Sequence, residues 1–192
     1  MTLPFGRTSK MGNLIAIDYS MSCPGICIYK DTFEASKFYF FNKNKKLAQK
    51  WLGGQIIGTL DEQNYKSEEH RWDVISNWAM GIIRNNDPEH VVMEGYAYGS
   101  SAGMVFNIAE NTGVLKHKIY KDGISLSVIA PTQVKKTFTG KGNSNKDAMY
   151  STAREKFDFP DLLTLFSSKK VGNPISDLVD AFAIGHTFKN QS

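Results

Sequence analysis

The 192-residue chain contains only two cysteines, Cys23 and Cys27, too few for a disulfide framework. They could flank a zinc ion only with other ligands, and no His or Cys pair lies at matching spacing. They read as two reduced thiols in a buried segment, which fits the cytoplasm. No stretch approaches the roughly 18 apolar residues that a membrane span needs, and residues 1–10 lack the apolar run of a secretory signal. They read as a loose leader to a single domain over residues 11–192. Histidine is sparse, and His70, His90, His117 and His186 are scattered, each a packed or surface imidazole rather than a catalytic base. Internal repeats and low-complexity tracts are missing as well. With 41% hydrophobic and 22% charged residues, what remains is one ordinary core.

The charge balance is only mildly basic, +4 with a pI near 8.9, which alone says little about a polyanionic partner. Distribution says more. Residues 131–156 carry Lys135, Lys136, Lys141, Lys146, Arg154 and Lys156 against Asp147 and Glu155. Such a stretch serves a solvated face or a nucleic-acid contact, and the second is slightly favoured. Residues 43–50 form a second polar, basic stretch, read as a loop.

Hydrophobic patterning sets the element order. Three short apolar runs at residues 14–18, 25–29 and 38–41, separated by turn residues, predict a β-meander. Trp72, Ile75, Trp78, Ala79 and Ile82 recur at helical spacing over residues 68–84. A strand over 90–94, a helix over 104–120 and a strand over 125–130 follow. A short helix over 131–138 is broken at Gly140. A further helix runs to Phe157, with Ser144 and Asp147 as a capping box. A last helix opens near Asn173 and Pro174. The prediction is an α/β fold, a mixed five-stranded sheet with helices on both faces.

Four acids stand out by placement. Asp18 ends the first strand and Glu94 ends the fourth. Asp177 and Asp180 share one face of the last helix, a face that continues through Ala181, Ile184 and Phe188 and should dock on the sheet. Carboxylates on a buried face are costly unless something neutralises them. Divalent cations with hard oxygen ligands, Mg²⁺ above all and Mn²⁺ as a substitute, would do so. Two such ions clamp the attacking and leaving oxygens of an in-line phosphoryl displacement.

Ile17-Asp18, Val91-Val92-Met93-Glu94, Gln133-Val134-Lys135, Gly140-Lys141-Gly142 and the run from Asp177 to Ile184 together resemble the RuvC family of Holliday junction resolvases, in order over nearly the whole chain. The resemblance implies a ribonuclease-H-like fold, with Asp18, Glu94, Asp177 and Asp180 holding two Mg²⁺ ions. It implies a homodimer that resolves four-way DNA junctions by paired nicks, and lysines at 135 and 146 near the DNA backbone. Lys136 and Lys141 join them as candidate DNA contacts. The chain departs from the family pattern after the first acid, where Tyr19-Ser20 replace Pro-Gly. It departs again at Ala97, where the family carries an aromatic residue that contacts the junction. Such differences point to a divergent branch, viral or organellar, and leave open other branched DNA such as flaps and forks.

Tyr96 and Tyr98 flank Ala97 in a glycine- and serine-rich loop. They either tuck onto the core or stack on bases opened at the branch point. The stripe of Met104, Ile108, Leu115 and Ile119 either covers the sheet or packs on its own copy. Periodicity favours the first and the resemblance the second. Two rival readings are an ATPase of the actin and sugar-kinase type, for which 192 residues leave no room, and a catalytically inactive DNA-binding relative, against which the four acids stand.

Overall fold

The computed structural model describes residues 12–61, 64–96 and 102–191. A seven-stranded sheet forms its centre, in the order β4-β5-β3-β2-β1-β6-β7. Strands β1 (Asn13–Asp18), β2 (Gly25–Tyr29) and β3 (Lys37–Asn42) make the expected antiparallel meander. Strands β6 (Pro88–Glu94) and β7 (Ser125–Ile129) extend it beyond β1, both parallel.

Two strands exceed the predicted five. β4 (Lys50–Trp51) is antiparallel to β5 (Ile56–Leu60), which runs parallel to β3. A two-residue strand has too little length to show alternation, and Gly53 and Gly54 interrupt the pattern between the pair.

The helices cover both faces, as expected. α1 (Glu68–Asn85) and α2 (Ala102–Lys121) pack on one side, where Ile15, Ile17, Ile26, Val91 and Met93 meet Ile75, Ala79, Ile83, Leu115 and Ile119. α3 (Pro131–Thr139), α4 (Lys146–Lys156), the single turn α5 (Leu162–Leu165) and α6 (Ile175–Lys189) pack on the other, where Ala16, Cys27, Phe38, Phe40 and Val92 meet Val134, Phe138, Met149 and Phe182. Successive strand residues point to opposite faces, and the alternation of these two sets fixes which side each strand end serves.

Local signals place the helix ends. Ser67 caps α1 by accepting the His70 amide at 3.3 Å, and Pro131 opens α3, which Gly140 closes at φ 88°. The capping box at Ser144 does not form. Asn145 is the N-cap of α4, accepting the Ala148 amide at 2.9 Å. The Ser144 hydroxyl is instead turned back on the preceding loop, 2.6 Å from the Thr139 hydroxyl. The stripe on α2 belongs largely to the core: Leu115 and Ile119 are fully buried. Ile108 is half-buried, and the Met104 side chain lies outside the described residues.

α6 lies unusually close to β2. A Cβ at Gly185 would stand 2.6 Å from the Tyr29 ring, and one at Gly25 would stand 2.5 Å from the Asp177 carbonyl oxygen. Gly185→Ala is therefore expected to cost about 1–3 kcal/mol through forced displacement of helix or ring. Gly113→Ala, in the middle of α2 with nothing within 4 Å of the added methyl, is expected to gain up to about 1 kcal/mol. Urea unfolding of the two variants against wild type measures both. Equal destabilisation would contradict the close-approach account.

Candidate active site

The acids converge because of strand parity and register. Asp18 has the parity of Ala16, and Glu94 that of Val92, so both leave the sheet on the α6 face. β1 and β6 are parallel, with Ile17 opposite Met93, so the two acids end neighbouring strands side by side. On the other side of β1 the residue opposite Asp18 is Gly25. The backbone of Asp177 rests on that glycine. The missing side chain at position 25 thus lets the first turn of α6 settle beside Asp18, with Asp180 one turn further on.

The electrostatics reflect this crowding. Burial, then the charges of Asp180, Asp177 and Glu94, hold the Asp18 carboxyl well above the usual range, with Lys146 opposing. Burial and then Asp180 push Glu94 up to about 7, against the pull of Lys135. Burial also raises Asp177, with Asp180 adding and Lys146 opposing. Burial raises Asp180, while Lys146 and then Lys135 hold it down. Asp177 is 5% exposed, and its Oδ2 has no hydrogen-bond partner among the described residues. A buried carboxylate oxygen left unpaired is costly.

This donor set fits a hard divalent cation. Among the described residues no group of three or more His, Cys, Asp or Glu forms a ready-made metal cage. A Mg²⁺-type ion needs only one or two carboxylates, taking its other ligands from water and phosphate.

Two lysines attend the acids. Lys146 donates to the Ser176 hydroxyl at 3.1 Å, and Ser176 donates to Asn173 Oδ1 at 3.3 Å, which ties the start of α4 to the first turn of α6. Lys135, half-buried on α3, acts on Glu94 and Asp180. Lys136 and Lys141 are exposed, and neither is among the charges that shift the acids. Tyr96 is 39% exposed with the Lys116 ammonium 5.1 Å from its ring centre. Tyr98 and Ala97 lie outside the described residues.

A cavity of about 560 Å³ opens beside Asp18 and Glu94, bounded also by Tyr96, Ile108, Thr112 and Arg71. Arg71 was not apparent in the sequence. It sits on α1 among residues that read only as an amphipathic face, and its guanidinium reaches the Met21 carbonyl at 2.7 Å. The Cys23 thiol, within hydrogen-bonding reach of Asp177, was likewise missed as a neighbour of the site. Both cysteines are free and buried, as expected. The Tyr19 departure also has a structural reason. The side chain is buried on the far face, where its hydroxyl donates to Asn111 Oδ1 on α2 at 3.5 Å. The histidines are packed or exposed: His90 stacks on Phe188, and His186 meets Phe157 edge-to-face.

A mixed sheet flanked by helices, with a carboxylate at each of two adjacent strand ends and two more on the docking helix, defines a ribonuclease-H-like fold with an acidic cluster at the strand ends. The family described as crossover junction endodeoxyribonuclease RuvC matches residues 46–186, and the chain belongs to that family. The crossover junction endodeoxyribonuclease RuvC of Brachyspira hyodysenteriae is 26% identical over 154 residues, covering 80% of this chain and 88% of that one. Two solved structures share the fold. Thermus thermophilus RuvC in complex with a Holliday junction substrate superposes with a TM-score of 0.59 at 15% identity, over 92% of each chain. The yeast mitochondrial Holliday junction resolvase Ydc2 does so with a TM-score of 0.57 at 17% identity, over 93% of this chain and 78% of that one.

The raised carboxyls predict a pH dependence of stability. A carboxyl whose folded pKa is raised binds its proton more tightly in the folded state. Its contribution is full below the ordinary carboxylate value near 4 and is lost as pH rises through the folded value, about 7 for Glu94. In EDTA, the melting temperature should fall between pH 5 and pH 7.5. Millimolar Mg²⁺ should restore it at pH 7.5 and do little at pH 5. The decline should shrink in Asp18→Asn. Thermal melts across that range check this, and a metal-free melting temperature that rises from pH 5 to 7.5 would contradict it.

Proposed function

We propose that this protein is a divalent-metal-dependent, structure-specific endodeoxyribonuclease that resolves four-way DNA junctions by paired nicks. The observation that carries the reading is the convergence of Asp18, Glu94, Asp177 and Asp180 on one face of the sheet edge, uncompensated except by two lysines. Membership of the RuvC family supports the same substrate class.

Asp18, Glu94, Asp177 and Asp180 would hold the metal, Mg²⁺ with Mn²⁺ as substitute and two ions per site. Bound there, the ions supply Lewis-acid activation of water and neutralise charge on the leaving 3′ oxygen. The chain's own groups do the rest. Docked on the sheet, the acids present fixed oxygens and need no rearrangement when phosphate arrives. Lys146, braced by Ser176, and Lys135 offer compact positive charge to the scissile phosphate and its neighbours. Lys136 and Lys141, exposed on the same lobe, extend that contact along the backbone. Tyr96, open to solvent at the cavity mouth, is placed to stack on a base unstacked at the branch point. Tyr98 is proposed for the same role on its sequence position alone.

Cutting two opposed strands requires two such sites related by a twofold axis, hence a homodimer. Leu115 and Ile119 are spent on the core, so that half of the stripe is not available to the dimer. Phe106 and Tyr120, 70% and 77% exposed on the outer side of α2, are the most exposed large apolar groups among the described residues and are placed to meet a second copy.

Asp18→Asn, Glu94→Gln and Asp180→Asn are each expected to lower Mg²⁺-dependent cleavage of a synthetic four-way junction by about 100-fold or more while junction binding persists. Rates within about tenfold of wild type in all three would overturn the assignment. Light scattering should give a dimer at micromolar concentration, and Phe106→Glu a monomer. A wild-type monomer both with and without DNA would exclude paired cutting by a stable dimer.

A further inference from the structure

Between Glu34 and Asp61 the chain carries five lysines and no acid. Four of them, Lys43, Lys45, Lys46 and Lys50, fall in the turn and edge strand after β3, and all four are exposed. None of them is in an ion pair among those found in the described residues. A solvated loop could carry such charge without consequence. Two features argue for a built surface.

The first is position. β3 is antiparallel to β2 and β2 to β1, so β3 runs in the direction of β1 and β6. The ends of all three strands, at Asn42, Asp18 and Glu94, therefore leave the sheet at the same edge. With about 4.8 Å between strands, β3 lies about 10 Å along that edge from Asp18. A link joins the two places. The Tyr65 ring has the Lys43 ammonium 5.6 Å from its centre and the Arg71 guanidinium also at 5.6 Å. Arg71 itself borders the acidic cavity, and its Nε is buried with no hydrogen-bond partner among the described residues. Cationic groups thus mark a path from the cavity through Arg71 and Lys43 to the turn, with Glu68 at the cavity wall and Asp61 beside Tyr65 as the acids along it.

The second is rigidity. Asn42 Oδ1 accepts the Asn44 amide at 2.7 Å, and Asn44 Oδ1 accepts the Lys46 amide at 3.0 Å. Gln49 Nε2 donates to the Lys46 carbonyl at 2.9 Å, and the Gly58 amide donates to the Gln49 carbonyl at 2.9 Å. The Trp51 ring seats on Phe166 at 5.0 Å. The lysines therefore project from a backbone ordered in advance, which lowers the entropy lost on binding.

We propose that the 43–50 turn is a second phosphate-contact surface, which holds a duplex arm of the DNA as it leaves the acidic centre. The inference rests on the endonuclease reading above. The contact recognises backbone charge, not sequence, because lysine is a point charge without bidentate base readout.

The test compares two variants of equal charge loss. Lys45→Gln/Lys46→Gln removes charge from the turn. Lys30→Gln/Lys121→Gln removes the same charge from two exposed residues, one just after β2 and one the last of α2, at the opposite edge of the sheet. Binding to a catalytically unreactive long-armed junction, in Ca²⁺, is titrated against salt. Each phosphate contact contributes about 0.9 to the slope of log affinity on log salt. The turn variant should lose about 1.8 and the opposite-edge variant nothing. The loss should diminish on a junction whose arms are too short to reach the turn. Equal losses in both variants, or no loss in the turn variant, would overturn the proposal. A wild-type protein that neither binds nor cuts a branched substrate would instead overturn the parent reading.

Discussion

The site depends on the contact between the first turn of α6 and the glycine opposite Asp18. No side chain larger than hydrogen fits at position 25 beneath the Asp177 backbone. That single vacancy fixes the height of α6 over the sheet, and with it the separation of the helical acids from those on the strand ends. Gly185 repeats the arrangement two turns on, against Tyr29. The helix is consequently buried almost all round, from Ile175 to Thr187. A helix embedded this deeply cannot adjust by tilting, so the repulsion among its carboxylates is relieved by held protons or by counter-charge. Lys135 and Lys146 provide part of that counter-charge from neighbouring helices.

The two faces of the sheet divide the labour. The α3–α4–α6 face supplies the acids and the lysines that temper them. The α1–α2 face supplies Arg71, Ile108 and Thr112 to the cavity wall. The cavity sits where the layers part at the ends of β1 and β6, a place where backbone carbonyls and amides no longer pair across the sheet and side chains can converge.

Much of this was legible in the sequence. The acids could be found because each occupies a place that patterning defines locally: the end of an apolar run, or one turn apart on a helix. The helices were legible for the same reason, with Pro131, Gly140 and Pro174 marking their ends. What escaped depends on distant partners. Arg71 is one polar residue among several on α1 until Met21 and Tyr65 are seen beside it. β4 and β5 exist because β3 offers an edge, and their own alternation is too short to announce them. Ser144 and Asn145 are both competent caps, and only the Thr139 hydroxyl, which engages the serine, decides between them. The α2 stripe was ambiguous in principle, since an apolar face is the same whether it meets a sheet or a second chain.

Tyr19 carries a consequence for how this chain can change. Its hydroxyl reaches Asn111, which is wholly enclosed and whose Nδ2 has no hydrogen-bond partner among the described residues. A small residue at position 19 would leave a void and strand the remaining amide oxygen, while an apolar residue at 111 alone would strand the phenol. Neither step is neutral by itself. The two positions are therefore expected to behave as an epistatic pair, in which a change at one is tolerated best when the other changes with it.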